Sequence, residues 1–329
     1  MTSVTFQLNW EPNGFQAPYF LARRRGFYED EGVTIQFVEG HGSPYAAKQA
    51  ARGNADIGLA GASAVLATRS QGEDPIAIAA VTNRTPAAFY TLRDVFDEPL
   101  SDPAQLAGTT VAPSATKTRI LAAQALERAG IRSEVDLKPV DPNTHHRVEH
   151  QLLEGTVDAA VGVVTNGVEL EHEHGRQSDE LPIGELLGVY GMMLVTNESF
   201  AAQNPTAVRA FLRATARGWA AATNDPDAAI DALISRNATL EQRRWIETRK
   251  LRAAVDGLQY HDGLTEAGWG AHRPQRWQRL SEYLQETTLL DGSIDPGEVW
   301  TNEYIDHDAN VIEDYASLVG CGEGNPSRQ

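Results

Sequence analysis

Over its first 200 residues the chain alternates short apolar runs with segments of helical period. Residues 4–8 read as a strand, and residues 18–25 carry apolar side chains at helical spacing up to Gly26. Residues 33–38 nearly alternate apolar and polar positions, which predicts a second strand. Ser43 and Pro44 have the character of an N-cap and a first helical residue, opening a helix over 45–52 that Gly53 stops. A buried strand is predicted at 56–59, a helix at 62–70, and strands at 76–81 and 89–92. This β-α-β-α-β order predicts a mostly parallel sheet with crossover helices.

The pattern then restarts. A strand at 109–112 precedes the turn Ser114-Ala115-Thr116, which opens a helix over 117–129 closed by Gly130. Residues 135–140 read as a strand, 145–153 as a helix and 157–164 as a strand; the apolar strand 191–195 leads back out. Asn204-Pro205 starts a long helix over 206–222, and the rest is mainly helical. A length of 329 residues fits about two domains. Two crossings, near 94 and 197, predict a double-stranded hinge between two αβ lobes that close around a ligand. By pattern alone, the helical tail either forms part of a sequential second domain or returns to the first lobe.

Charge narrows the function classes. Lys+Arg total 28 against 45 Asp+Glu, and the net charge of -17 repels phosphate backbones, so no nucleic-acid partner is expected. Only Lys48, Lys117, Lys138 and Lys250 are lysines, the other 24 basic residues being arginine. An acidic, lysine-poor surface suits concentrated salt, where repulsion is screened to within about 3 Å at 1 M. No run of about 18 apolar residues occurs, so no membrane-spanning helix is expected. Cys321 stands alone, which leaves no disulfide framework and no thiolate metal site. The N-terminus lacks the basic, apolar and small-residue order of a signal peptide, so the expectation is either a mature or engineered start or a cytosolic protein.

The phosphate-loop, dinucleotide, zinc-protease and nucleophile-elbow signatures are all missing. His145-His146 with His150, and His172-Glu173-His174 with Glu169 and Glu171, set imidazoles near one another but show no convergence of three or four ligands, so no metal and no cofactor is expected. The informative stretch is Leu8-Asn9-Trp10-Glu11-Pro12-Asn13-Gly14-Phe15-Gln16-Ala17-Pro18-Tyr19. The strand ends on a Trp, a polar Pro- and Gly-bearing loop follows, and the next helix holds Tyr19 in its first turn. Ligands in such sheets bind at the carboxyl ends of the strands. Trp10 and Tyr19 there would sandwich a flat ring, worth about 0.5–1.5 kcal/mol beyond the area buried.

This opening resembles that of the solute-binding proteins grouped with the thiamine-pyrimidine synthesis family. Further similar segments follow in order: Gly26-Phe27-Tyr28 through Gly32, Gly53-Asn54-Ala55-Asp56-Ile57-Gly58-Leu59, Gly155-Thr156-Val157-Asp158-Ala159-Ala160, Val168-Glu169-Leu170-Glu171 and Thr301-Asn302-Glu303-Tyr304-Ile305. The resemblance implies a type II periplasmic-binding-protein fold, α/β, with lobe one formed by 1–93 plus 198–329 and lobe two by 94–197. One branch of the family consists of receptors for ATP-driven importers; the other is a hydroxymethylpyrimidine-phosphate synthase that consumes its own histidine together with pyridoxal phosphate. That enzyme needs a lysine and a histidine where this chain has Ala60 and Ala64, and a cysteine cluster where it has Val189-Tyr190-Gly191-Met192-Met193. Binding without chemistry is therefore expected.

The expected ligand is a planar heterocycle, a thiamine pyrimidine precursor, held in an interlobe cleft; riboflavin, a sulfonate or nitrate, or a cytosolic synthase-like enzyme, are the alternatives. Asn9 and Gln16 are candidate partners for ring nitrogens. Gly61, Ala62 and Ser63, small residues between a strand and a helix, let backbone N–H groups approach the guest. Asn83 and Arg84 end the next strand. From lobe two, Ser114, Thr116 and Thr118 line a strand-to-helix turn, Glu169 is placed to accept from an exocyclic amine, and Tyr190 is a candidate aromatic. The expected partners are an ABC permease and its ATPase, around a monomeric receptor. The expected location is extracytoplasmic, at the membrane through the transporter, or cytoplasmic if Met1 is the native start.

Overall fold

In the computed structural model, residues 1–95, 98–140, 148–255, 268–285 and 289–305 are described. They fall into two compact units, each with its own five-stranded sheet. The first contains Met1–Asn83 and Tyr190–Ser281 with the described 289–305; the second contains Arg84–Val189 and 282–285. The divisions come earlier than the crossings expected near 94 and 197. The reason lies in strand pairing: the strand after the first division bonds only into the second sheet, and the strand after the second division only into the first.

The first sheet has the order β2-β1-β3-β10-β4, with β1 Thr2–Gln7, β2 Val33–Val38, β3 Ile57–Gly61, β4 Pro75–Ala80 and β10 Met192–Asn197. β1 runs parallel to β2 and β3, whereas β10 is antiparallel to both of its neighbours. The second sheet has the order β7-β6-β8-β5-β9, from β5 Ala87–Leu92, β6 Thr110–Pro113, β7 Asp136–Leu137, β8 Ala159–Val163 and β9 Ser178–Pro182. There β5 is antiparallel to β8 and β9. Both sheets are thus mixed rather than mostly parallel. Apolar periodicity marks a strand but carries no direction, so β5 and β10 were legible as strands and not as antiparallel ones. The polar strand β9 has no apolar run to announce it.

Four helices follow the early strands: α1 Ala17–Arg24, α2 Phe27–Asp30, α3 Ser43–Ala51 and α4 Ala62–Ser70. The second unit adds α5 Thr116–Arg128, α6 Val148–Leu153, α7 Asn166–His174 and α8 Gly184–Leu187. After β10 come α9 Glu198–Gln203, α10 Pro205–Asn224, α11 Pro226–Arg236, α12 Arg244–Arg252 and α13 Pro274–Gln285. α10 lays a buried stripe including Phe211, Leu212 and Trp219 against α1. Phe6, Tyr19, Trp219 and Phe211 meet edge-on there, and Tyr28 stacks on Phe211 with its hydroxyl 3.1 Å from Thr215 Oγ1. Each such ring removed from water contributes about 1.5–3 kcal/mol. The second unit has its own small core of Tyr90, Leu92, Ala112, Val148, Leu152, Val157, Ala160 and Leu170.

The two similar G-x-x-D segments have the same job. Asp56 Oδ2 accepts from Thr5 N at 2.7 Å, and Asp158 Oδ2 accepts from Thr110 N at 2.7 Å. The carbonyl of Asp56 takes the Thr196 hydroxyl at 2.6 Å, and that of Asp158 takes the Thr91 hydroxyl at 2.6 Å. In each unit one aspartate ties a parallel neighbour through its carboxylate and an antiparallel strand through its backbone. The Thr301–Ile305 segment belongs to the first unit: Thr301 N donates to Ala77 O at 2.9 Å, and Trp300 bridges to Ala77 beside β4.

Candidate functional site

In the first unit β1, β2 and β3 are parallel, so their carboxyl ends share one edge, and the loops after β1 and β2 are stitched there. The buried Gln7 amide, at the end of β1, donates to Glu39 O at 2.8 Å and lies 3.1 Å from Leu8 O and 3.3 Å from Val38 O. Gly42 N donates to Asn9 O at 2.7 Å and Gly40 N to Trp10 O at 3.4 Å. The approach is so close that a Cβ on Gly40 would stand 1.9 Å from Leu8 O, so only glycine fits. These contacts hold up Trp10, whose side chain is 47% exposed.

The remainder of the loop closes on itself. Asn13 and Gln16 form a capping box at the 3-10 turn Gly14–Gln16: Asn13 Oδ1 accepts from Phe15 N at 3.0 Å, and Gln16 Oε1 accepts from Asn13 N at 3.0 Å. Gln16 Nε2 then donates to Asn9 Oδ1 at 2.8 Å. Gln16, expected to meet a ring nitrogen, is instead buried with both ends of its amide engaged. Asn9 is half-buried and keeps its NH2 group without a partner among the described residues, which leaves it a donor at this edge.

Tyr19 is a second correction. It is wholly buried, with Phe6 at 5.1 Å and Trp219 at 5.9 Å, and offers no face to a guest. It lies in the first turn of α1, whose buried face runs from Ala17 to Ala22, and that helical stripe takes it inward. At the β3–α4 junction Gly61, Ala62 and Ser63 are buried, and Ala62 N donates to Gly191 O at 2.8 Å. That N–H is therefore committed to Gly191, just before β10, rather than open to a ligand. Asn83 lies beyond β4, buried, with its carbonyl accepting from the Arg276 guanidinium. Arg84 opens the second unit, its guanidinium 3.8 Å from Glu185.

Tyr190 was expected in the second lobe. It belongs to the first unit and is buried, because its ring packs beside Trp277 at 5.6 Å and its hydroxyl accepts from Arg273 N at 2.6 Å. Burial pushes that hydroxyl up to about 12. Next to it His272 Nδ1 accepts from Trp277 Nε1 at 3.2 Å, and burial drives the imidazole down to about 3, so it is neutral at pH 7. Asn302 clamps it from both sides: Oδ1 accepts from His272 N at 2.7 Å and Nδ2 donates to His272 O at 3.1 Å. The T-N-E-Y segment thereby acquires a structural role.

In the second unit Thr118 is a helix cap, its hydroxyl taking Ala115 N at 3.0 Å and giving to Ala115 O at 2.8 Å, with Ser114 Oγ 3.3 Å away. Thr116 is exposed. Beside them Lys117 makes no ion pair or hydrogen bond among the described residues, and burial lowers its ammonium pKa. Glu169 sits in the first turn of α7 with Asn166 Nδ2 3.5 Å from its carboxylate. The sequence reading missed its neighbours. Glu180 accepts from Thr165 N at 3.0 Å and Gly167 N at 2.7 Å, filling the start of α7, and burial raises its pKa against those bonds. Tyr90 donates to Glu149 Oε1 at 3.0 Å; burial first, and then Glu149, Glu180 and Glu169, raise its pKa. Tyr90 and Glu180 are directly paired across β5 and β9, a register that no local pattern reveals.

Among the described residues no group of three or more His, Cys, Asp or Glu is placed to hold a metal. His145, His146 and Cys321 lie outside the described residues. No described helix is long and apolar enough to cross a membrane.

The family described as NMT1/THI5 like matches residues 13–229. Similar proteins include the riboflavin-binding protein RibY of Chloroflexus aurantiacus, 26% identical over 93% of this chain and 86% of that one. The 4-amino-5-hydroxymethyl-2-methylpyrimidine phosphate synthase of Candida albicans is 24% identical over 92% and 88%. The formylaminopyrimidine-binding protein of Halalkalibacterium halodurans is 22% identical over 89% and 88%. Among solved structures, the periplasmic aliphatic sulphonate-binding protein SsuA of Escherichia coli superposes with a TM-score of 0.68 at 14% identity, covering 93% of this chain and 100% of that one. The periplasmic nitrate-binding protein NrtA of Synechocystis PCC 6803 gives 0.67 at 13%, covering 97% and 91%. The α/β fold of periplasmic binding proteins, expected from the resemblance, is the fold of this chain.

Proposed function

Because the chain belongs to the NMT1/THI5-like family, we propose that it captures a small planar heterocycle, a thiamine pyrimidine precursor, as the substrate-binding component of an ATP-driven importer. The observation that carries this reading is Trp10, a large aromatic face left half in water on a loop that Gln7, Gly40 and Gly42 hold in place. An indole costs free energy to expose, and a stacked guest recovers it. The Asn9 amide beside it supplies a donor for a ring nitrogen or carbonyl. For the second unit, taken by itself, we propose that Glu169 accepts a hydrogen bond from an amine and that the start of α5, with Ser114, Thr116 and Lys117, takes an anionic group.

The proposed role is binding rather than turnover. The positions where a synthase needs lysine and histidine are Ala60 and Ala64, both buried and neither able to form a Schiff base or give up an imidazole. A receptor of this kind works outside the cytoplasm as a monomer, docking on a permease with its ATPase. A second reading, riboflavin as the guest, has its own support in the relative named a riboflavin-binding protein.

Native mass spectrometry of the protein with a panel of 4-aminopyrimidines, flavins and alkylsulfonates tests the reading. The expected result is a one-to-one adduct with a ring compound that Trp10→Ala loses. An adduct with sulfonates alone, or a covalently changed guest, overturns it.

A further inference from the structure

Among the described Phe, Trp and Tyr side chains, Trp10 and Tyr45 are the most open to water, at 47% and 41% exposed. Trp10 lies on the loop after β1, and Tyr45 lies in the first turn of α3, which follows the loop after β2. Gln7 and Val38 pair in register as the last residues of β1 and β2. The chain then runs from each strand end into the stitched segment, where Gly40 N bonds Trp10 O and Gly42 N bonds Asn9 O. α3 starts directly afterwards at Ser43, with Pro44 in its first turn. Ala46, Ala47 and Ala50 carry its buried face, so Tyr45 is turned away from the core it packs on. The His41 ring lies edge-on to Tyr45 at 5.3 Å and 71°. That contact limits how the phenol can swing and costs a free tyrosine some of its rotamer freedom in advance. No packing need explains a large ring there, since α3 buries only alanines inward.

We infer that Tyr45, braced by His41, is a specificity-determining residue: it supplies a second ring face beside Trp10 for a planar aromatic guest, the part that sequence reading assigned to Tyr19. The inference rests on the proposed capture of a heterocycle and deepens it. Two exposed ring faces on one edge select flat aromatic guests over compact anions, because a sulfonate or nitrate gains nothing from stacking. Tyr45 acts through its ring, so its hydroxyl is dispensable.

The test is the dissociation constant of the wild type, Trp10→Ala, Tyr45→Ala and Tyr45→Phe for riboflavin, for 4-amino-5-hydroxymethyl-2-methylpyrimidine and for methanesulfonate, by calorimetry. Tyr45→Ala should weaken the ring compound that binds by roughly tenfold, and Tyr45→Phe by less than about twofold, as the worth of one aromatic pair implies. Methanesulfonate binding, if measurable, should not move. If Trp10→Ala weakens the ring compound but Tyr45→Ala does not, the inference fails and the capture reading stands. If the wild type binds neither ring compound, both fail. Tyr45 is exposed, so thermal melting of each variant, expected within a degree or two of the wild type, shows whether the losses come from the ring itself.

Discussion

Gly14 donates its backbone N–H to Glu247 Oε2 at 2.6 Å, joining the base of the Trp10 loop to α12 far along the chain. Glu247 is only 2% exposed, and a Cβ on Gly14 would stand 1.9 Å from Glu247 O, so helix and loop touch backbone to backbone. From there the contacts run through the Asn13–Gln16 capping box to Asn9. α12 therefore positions a loop that directly follows the first strand of the protein.

Glu247→Ala leaves the buried Gly14 N–H without its acceptor and should cost about 1–3 kcal/mol of stability. Glu247→Gln keeps a carbonyl oxygen in reach and should lose less than half as much. Urea unfolding of the two variants checks the order; equal losses would mean that the carboxylate charge, with Lys250 3.6 Å away, matters more than the loop contact.

His272 makes stability depend on pH. Its folded pKa is about 3 against an ordinary value of 6.5, so the unfolded chain binds a proton that the native state refuses. Stability contributed by the neutral imidazole is full above 6.5 and falls as pH drops from there toward 3, by up to ~1.4 kcal/mol per unit. Between pH 6.5 and 5, above the usual carboxylate range, unfolding free energy should decline, and His272→Gln should flatten that decline while lowering stability at pH 7.5. A slope identical in both proteins would assign the acid sensitivity to other groups.

The paired aspartates predict parallel losses. Asp56→Ala and Asp158→Ala each strip one strand N–H of its acceptor, at Thr5 and Thr110, and should each destabilise by about 1–3 kcal/mol. The two ties share no partner, so the double variant should show near-additive loss in equilibrium unfolding, within about 0.5 kcal/mol.

The net charge of -17 with only four lysines predicts a salt response. The midpoint of thermal unfolding should rise as KCl is increased from about 0.1 M to about 1 M, as repulsion among carboxylates is screened. A midpoint that stays level or falls counts against adaptation to salt.

Much of the architecture was legible because burial and period coincide: β1, β2, α1, α4, α5 and α10 all lie within a few residues of their expected positions. What escaped is set by partners distant in sequence. β9 pairs through Asp179 and Glu180, residues with no strand signature of their own. Trp10 was singled out as a Trp at the end of a strand and is exposed, whereas Tyr19, singled out with it, is buried. One helical turn decides whether such a ring meets water or Trp219, and the phase of α1 depends on α10, some two hundred residues later. Tyr45 went unremarked as an ordinary helix residue; what sets it apart is a ring on a helix whose buried face is all alanine. Tyr190 was read as a partner for ligand, yet Arg273 and Trp277 had already engaged it.

Gln7 gives the first unit's edge a thermodynamic character. One side-chain amide, reaching Glu39 O and the Leu8 and Val38 carbonyls, sets two loops in order when the chain folds. The disorder that those loops would otherwise surrender to an arriving molecule is already gone. For the proposed guest, association at this edge should then be quick and carry little entropic penalty, and Gln7→Leu should show its slowdown in the on-rate more than in the fit of the final complex.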